Sequence, residues 1–311
     1  MIDNISIIKK TLSDNELKNI IVKAELQKIV IGANCTYNNF HLKNLSALKV
    51  QITANRSLKI VCSLHKVYNH FEIGKQVNYT DFTMIDAQQT LIKLIDDLGI
   101  LKTGILITSY EVGLNLSVKS DCKNYLNKYL KIGKIGKEKL FYVNPKYKDE
   151  RCITTIIHRD LRKSFKVYDK GFEMLDKKRK EYLKNPILRL ETTFKRCENL
   201  SLDKFIESEN LNKIQSQFFE DWKSVKYKRE LIAPKGTNKD KSKLCYDLIY
   251  KGIKPTEEKL KSLFDSEIIT LRQYRYYLNF IQNDWNEFKL KLLLKASKEE
   301  LEMLQLLKNR I

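Results

Sequence analysis

The chain is poor in the residues that break structure. Only four prolines and ten glycines occur among 311 residues, too few for the flexible or Pro-rich linkers that separate loosely tethered domains, so a continuous compact body is expected. The six cysteines, at positions 35, 62, 122, 152, 197 and 245, include no Cys-x-x-Cys pair. That spacing argues against a zinc ribbon or a small disulfide scaffold and points to a reducing cytoplasm. Cys62-Ser-Leu-His65 has ligand-like spacing without a partner pair and reads as strand filler. No apolar run approaches the roughly 20 residues of a spanning helix. The opening Met1-Ile-Asp-Asn lacks a signal peptide's basic and apolar regions.

Negative charge is also short: 38 Asp and Glu face 58 Lys and Arg, a formal net charge of +20. Self-repulsion on this scale is most readily relieved by a polyanion, so nucleic acid is the first expected partner. An anionic membrane surface is the rival. The length is enough for one large domain or two.

Up to about residue 197, strands and helices are interspersed. Ala47–Thr53 and Ser57–Leu64, joined by Ala-Asn-Arg, read as a hairpin. A helix follows, with Thr83 as N-cap, Asp86 three residues on and Gly99 as C-cap. Gly104–Val118 is the longest strand pattern, and a short amphipathic helix through Tyr125 and Tyr129 comes next. Strands are expected near Phe141 and over Ile153–Ile157, and a basic helix from Phe172 to Lys184. Beyond residue 200, apolar residues recur at three and four (Leu211, Ile214, Phe218, Trp222; then Leu271, Tyr274, Tyr277, Leu278), the helical period. A polar break at 234–241 and a helix start at Pro255-Thr-Glu-Glu divide this part. No spacing names a recognition helix. The expected class is α+β, with a mostly antiparallel sheet and a helical C-terminal region.

Chemistry concentrates on three strand patterns. In Lys163-Ser-Phe-Lys-Val-Tyr-Asp-Lys-Gly-Phe-Glu173, Phe165 and Val167 point one way and Lys166, Tyr168 and Lys170 the other. In Ile187-Leu-Arg-Leu-Glu-Thr-Thr-Phe-Lys195, Leu188, Leu190 and Phe194 oppose Arg189, Glu191, Thr193 and Lys195. In the long strand, Ser109, Glu111, Gly113 and Asn115 share a face. If the three share a sheet, a tyrosine, several cations and two carboxylates meet on one surface. A tyrosine attacking phosphorus must act as a phenolate, whose free pKa is about 10; nearby cations or a metal would favour that form. Glu111 and Glu191 offer the oxygen ligands that Mg²⁺ or Mn²⁺ prefers. The bland alternative is a solvated strand face with ordinary cross-strand ion pairs, and Tyr168-Asp-Lys-Gly171 as a turn.

These blocks, with Ile107-Thr-Ser-Tyr-Glu-Val112, resemble in order and approximate spacing three blocks of the gene II/X-type replication proteins of filamentous phages, and more loosely the plasmid replication initiation factors. The resemblance covers roughly residues 45–200. It implies a metal-dependent, site-specific nicking and strand-transfer endonuclease that starts rolling-circle DNA replication. Such an enzyme holds a 5′ phosphate on tyrosine and leaves a 3′ hydroxyl primer. By position, the nucleophile falls on Tyr168 and its lysine on Lys170. The Arg-Phe-Glu block falls on Arg189, Leu190 and Glu191, with Lys195 after it, and the Arg-Ile-Asp block places its carboxylate at Glu111. Ser109 stands where that block has arginine, and 154–160 offers no upstream tyrosine of the plasmid type. The His-hydrophobic-His metal pair of many initiators is absent: His41, His65, His70 and His158 are isolated.

The resemblance further implies Mg²⁺ or Mn²⁺ held by Glu111 and Glu191, and Tyr168, Lys170, Lys195 and Arg189 as catalytic groups. It also implies single- and double-stranded origin DNA as partner, host helicase and polymerase as possible companions, and a bacterial cytoplasm as the setting. Residues 1–200 would form the nuclease domain and 201–311 a helical DNA-binding or accessory domain. Basic clusters suit phosphate binding: Arg159, Arg162, Lys163 and Lys166 before the tyrosine, Lys177, Lys178, Arg179 and Lys180 after it, and Arg272 and Arg275 farther on. The opposing reading is a non-catalytic DNA- or RNA-binding protein. The enzyme reading requires Tyr168, Glu111 and Glu191 to converge on one exposed sheet face.

Overall fold

A computed structural model describes residues 1–31, 34–38, 47–134, 136–155, 162–176 and 185–310. The architecture is α+β, as expected. Twelve strands make one sheet: β1 (Ile2–Lys9), β2 (Gln27–Ile31), β3 (Asn34–Asn38), β4 (Leu48–Ile52), β5 (Leu58–Ser63), β6 (Ile105–Ser117), β7 (Tyr129–Ile132), β8 (Lys139–Val143), β9 (Cys152–Thr155), β10 (Lys163–Asp169), β11 (Ile187–Ser201) and β12 (Lys226–Tyr227). Their spatial order is 12-7-8-9-10-11-6-1-5-4-3-2. The pairings from β2 through to β7 are antiparallel. The long strands β6 and β11 lie side by side near the middle, flanked by β1 and β10.

The β4–β5 hairpin forms as its alternation predicts, burying every second residue. Helix α1 (Asp14–Lys23) starts on a Ser13–Glu16 capping box, α2 (Leu64–Ile73) follows β5, and α3 (Met84–Leu98) has the expected Thr83–Asp86 box. Gly99 ends α3 at φ 68°, a left-handed conformation that glycine adopts without Cβ strain. Two local expectations differ. Tyr129 is not helical: α4 (Cys122–Leu126) stops short of it, and Tyr129 opens β7. Lys170 is not a strand residue, because β10 ends at Asp169 and Lys170 opens α5 (Lys170–Asp176). The rest of the basic helix expected to reach Lys184 lies outside the described residues.

The chain divides into two compact units, Met1–Lys226 with Leu306–Ile311, and Tyr227–Gln305. The break therefore falls after 226 rather than 200. The reason is that α6 (Leu202–Ile206) and α7 (Ser208–Lys223) pack on the greasy face of the sheet. Trp222 of α7 meets Phe165 of β10 edge-on at 5.8 Å and donates its Nε1–H to Thr192 Oγ1 at 3.0 Å. Tyr110 of β6 stacks on Phe194 of β11 at 4.6 Å and packs against Phe205 of α6. The second unit holds strands β13 (Glu230–Ile232) and β14 (Leu293–Lys295), paired antiparallel. Its helices are α8 (Lys239–Tyr250), α9 (Ile253–Asp265), α10 (Leu271–Asn279) and α11 (Trp285–Leu290), with a π-helical turn over Phe280–Asp284. Helix α12 (Lys298–Lys308) closes the sequence. Among the described residues no helix is long and apolar enough to cross a membrane.

Trp222→Ala should destabilise the first unit by about 3–5 kcal/mol, the range for removing a buried aromatic. Equilibrium urea unfolding, followed by circular dichroism, measures it; a loss under about 1 kcal/mol would mean that α7 is not part of this core.

Candidate active site

Register decides what meets what. In β10–β11, Lys166 opposes Glu191 and Tyr168 opposes Arg189; in β11–β6, Glu191 opposes Gly113, Thr193 opposes Glu111 and Arg189 opposes Asn115. Directly opposed residues share a face, so Tyr168, Lys166, Glu191, Arg189 and Glu111 come together as the alternation implied. The third carboxylate, Asp3 of β1, was not anticipated. Between the pairs Ile2–Val112 and Ile5–Tyr110, two β1 residues, Asp3 and Asn4, stand against the single residue Glu111. This β-bulge suspends the strict alternation. Asn4 Nδ2 donates to Glu111 Oε1 at 2.7 Å, and one ligand oxygen each from Asp3, Glu111 and Glu191 lies within 4.8 Å of the others. The only sequence signal was an Asp-Asn pair interrupting an apolar strand start, Met1-Ile-Asp-Asn-Ile.

Arg189 is the centre of the cluster and is 1% exposed. Its Nη2 pairs with Asp3 Oδ2, its Nε with Glu191 Oε1 at 2.7 Å, and its Nη1 donates to Asn115 Oδ1 at 2.9 Å and to the Asn78 carbonyl at 3.3 Å. Gly113 makes room for it. A Cβ at 113 would sit 2.9 Å from Arg189 Cζ and nearer still to Nη2. Asn78, from the segment between α2 and α3, ties the cluster from above: its Nδ2 donates to Asp3 Oδ2 at 2.9 Å and its Oδ1 accepts from Lys170 Nζ at 2.8 Å. Lys170 also pairs with Glu173 at 2.7 Å, and Lys166 with Glu191 Oε2. Tyr168 donates its hydroxyl to Glu191 Oε1 at 2.7 Å.

The groups converge, but the face is not exposed. Tyr168 is 5% exposed, and Glu191, Asp3 and Lys170 are buried as well. Burial, then the Glu191 charge, holds the Tyr168 phenol well above its ordinary range. The resting tyrosine is therefore protonated, the opposite of the phenolate that neighbouring cations were expected to favour. Burial would raise Asp3 and Glu191, but Arg189 beside Asp3, and Lys166 with Arg189 beside Glu191, outweigh it and keep both ionised. Burial alone would lower Lys166; Glu191 and Glu111 more than offset that and keep it charged. Lys170 is brought down to about 8 by burial and by Arg189, with Glu173 opposing.

Glu111 stands apart. It is half-buried, accepts from Asn4 and from Thr193 Oγ1 at 3.2 Å, and has no ion-pair partner among the described residues. Burial and the neighbouring Glu191 charge raise it to about 7. The three cations Arg189, Lys166 and Lys170 balance Asp3, Glu191 and Glu173, which leaves Glu111 as the unmatched charge. Three carboxylates in reach of one point form a hard-oxygen donor set suited to Mg²⁺ or Mn²⁺, and the unmatched Glu111 is where added positive charge gains most.

Other expected site residues lie elsewhere. Lys195 shares the Glu191 face but is exposed, and two two-residue steps place it about 13 Å along the strand. Lys163 points to the greasy face, paired with Asp221 of α7, so it and Lys166 are committed to carboxylates rather than free for phosphate. Arg162 is exposed. Arg159, His158, His41, Lys177, Lys178, Arg179 and Lys180 lie outside the described residues. His65 is buried, held neutral with its pKa down to about 3 chiefly by burial, and its Nε2 hydrogen-bonds Thr80 Oγ1 at 2.9 Å. No family model matches this sequence, and no curated protein matches it.

Two measurements probe the cluster. Gly113→Ala should destabilise by about 3–5 kcal/mol, the penalty for disrupting a buried ion pair, whereas an unhindered strand would gain from losing a glycine; urea unfolding decides the sign. The raised Glu111 means that the native state holds this proton more tightly than the unfolded chain. Its contribution is thus fully present below about pH 4.5 and is lost as pH rises to about 7. In EDTA, Glu111→Gln should gain stability relative to wild type between pH 5 and pH 8. A difference that does not change with pH would contradict the raised pKa.

Proposed function

We propose that this protein is a metal-dependent DNA strand-nicking and transfer enzyme that starts rolling-circle replication at an origin, with Tyr168 as nucleophile. The observation that carries the reading is the meeting of Asp3, Glu111 and Glu191 on one sheet face beside Tyr168 and Lys166, in a chain of net charge +20. Asp3, Glu111 and Glu191 would hold the Mg²⁺ or Mn²⁺, which when bound supplies positive charge to the phosphoryl oxygens. Glu191 accepts the Tyr168 proton along the existing 2.7 Å hydrogen bond. The Tyr168 Oη–phosphorus bond forms as the bond to O3′ breaks. Lys170, still largely protonated at neutral pH, supplies a proton to the departing O3′. Lys166, 4.6 Å from the Tyr168 ring centre, remains a fixed cation beside the developing charge. Arg189 positions Asp3 and Glu191 and does not itself meet the phosphate. Tyr168 is 5% exposed, so the side chains packed on it, Lys170 at 5.8 Å from the ring centre among them, would have to shift when DNA enters.

One observation favours a second reading, a non-catalytic DNA- or RNA-binding protein: every cation of the cluster already has a carboxylate partner, as in a structural ion-pair core.

Supercoiled DNA of the protein's own replicon, incubated with Mg²⁺ or Mn²⁺, should yield nicked circles bearing covalent protein. Tyr168→Phe should abolish the adduct while leaving DNA binding intact, and Asp3→Asn should slow nicking about 100- to 1,000-fold, the range for removing one electrostatic contributor. Melting curves of both variants exclude misfolding. Binding without an adduct in wild type sinks the enzyme reading; an adduct that survives Tyr168→Phe reassigns the nucleophile.

A further inference from the structure

The second compact unit has a core of its own, made by Leu244, Cys245 and Leu248 of α8, Leu260 of α9, and Phe280, Ile281 and Trp285. Helices α9 and α10 pack against each other, with Phe264 stacked on Tyr274 at 5.0 Å. Between them runs a four-residue turn, Ser266–Ile269. Glu267 takes φ 59°, and Ile268 N–H returns to the Leu263 carbonyl at 2.9 Å, which reverses the chain within one turn. Thr270 then caps α10 in a box with Gln273. Two packed helices joined by a turn of this length have the connection found in helix–turn–helix units.

What α10 buries and what it shows are sharply divided. Tyr274 and Tyr277 turn inward against the core. Arg272, Arg275, Tyr276 and Asn279 are exposed, and their spacing of three and four residues places them on one stripe. No acidic residue occurs from Arg272 to Asn283, and neither arginine has an ion-pair partner among the described residues. Asn283 Nδ2 donates to Asn279 Oδ1 at 2.7 Å, which holds the exposed Asn279 amide in place and leaves its NH₂ without an acceptor among the described residues. Arginine and asparagine are the side chains that bond guanine and adenine edges in pairs of hydrogen bonds.

We propose that α9, the 266–269 turn and α10 read duplex DNA sequence, with α10 as the helix that enters the major groove. Arg272, Arg275 and Asn279 address base edges, and the Tyr276 hydroxyl addresses the flanking phosphate backbone. The B-form major groove admits an α-helix, whereas the deep, narrow major groove of duplex RNA does not admit side chains, so DNA is the favoured nucleic acid. The two arginines, first expected as phosphate contacts, thereby become specificity determinants. The inference shares DNA as partner class with the proposed nicking activity but rests on a separate unit, and it stands if nicking fails.

Selection from a randomised 20-base-pair duplex pool, with full-length protein in EDTA and near-physiological salt, should enrich a defined motif. Fluorescence anisotropy should then show Arg275→Ala and Asn279→Ala each weakening the selected duplex about 5- to 150-fold, relaxing the preference at different base pairs and changing binding to a scrambled duplex less than about threefold. These side chains are exposed, and melting curves monitor folding; Arg275→Gln repeats the test if the alanine variant melts early. Tyr168→Phe should select the same motif whether or not wild type nicks DNA. The proposal is overturned if no motif is enriched, if selected and scrambled duplexes weaken equally, or if the variants affect only single-stranded DNA or RNA.

Discussion

Arg189 is the interaction on which the site depends. One guanidinium joins Asp3 of β1 to Glu191 of β11 and also bonds Asn115 of β6, so three neighbouring strands are held in register by a single buried cation. Losing one partner of an ion pair withdrawn from water is strongly destabilising, and Arg189 is 1% exposed with every guanidinium nitrogen bonded. Gly113 leaves the space, Asn78 supplies a carbonyl, and two carboxylates supply the charge. The conformation of β1, with its bulge at Asp3 and Asn4, matters because it delivers one of those carboxylates.

The same closure shapes the chemistry. Low dielectric and nearby anions keep Tyr168 protonated, and its proton already rests on a hydrogen bond to the carboxylate that would receive it. Glu111, at the less buried edge, is the one carboxylate whose charge is not matched. A site that is nearly balanced until Glu111 ionises changes its charge near neutral pH, and under the proposed function a divalent cation would supply the missing positive charge. The proposed activity therefore turns on how substrate reaches a tyrosine that is 5% exposed.

The second unit works by the opposite arrangement. Its aromatic residues pack a small core, while the α10 stripe keeps two arginines and an asparagine in solvent, the arginines without a carboxylate partner among the described residues. Cations at the first site are spent on internal charge; those on α10 are free for an external ligand. That contrast is the physical basis on which the two proposals place phosphorus chemistry in one unit and sequence recognition in the other.

Sequence alone determined the strands and their two faces, because a period of two is written locally in Lys166-Val-Tyr168, Arg189-Leu-Glu191 and Tyr110-Glu-Val112. It also determined α3, whose capping box and terminal glycine are local features. Tertiary structure decided the rest. Asp3 reaches the site only through a bulge set by pairing between β1 and β6, over a hundred residues apart in sequence. Asn78, with no periodic relation to the strands, bonds Asp3, Arg189 and Lys170, and burial of Tyr168 reversed the expected state of the phenol. The unit boundary moved from 200 to 226 because Trp222 found its partners on β10 and β11. The tight turn between α9 and α10 depended on a left-handed Glu267, a residue type whose identity does not announce that conformation. Local propensity writes elements and faces; register, cover and charge state arise from contacts between segments far apart in the chain.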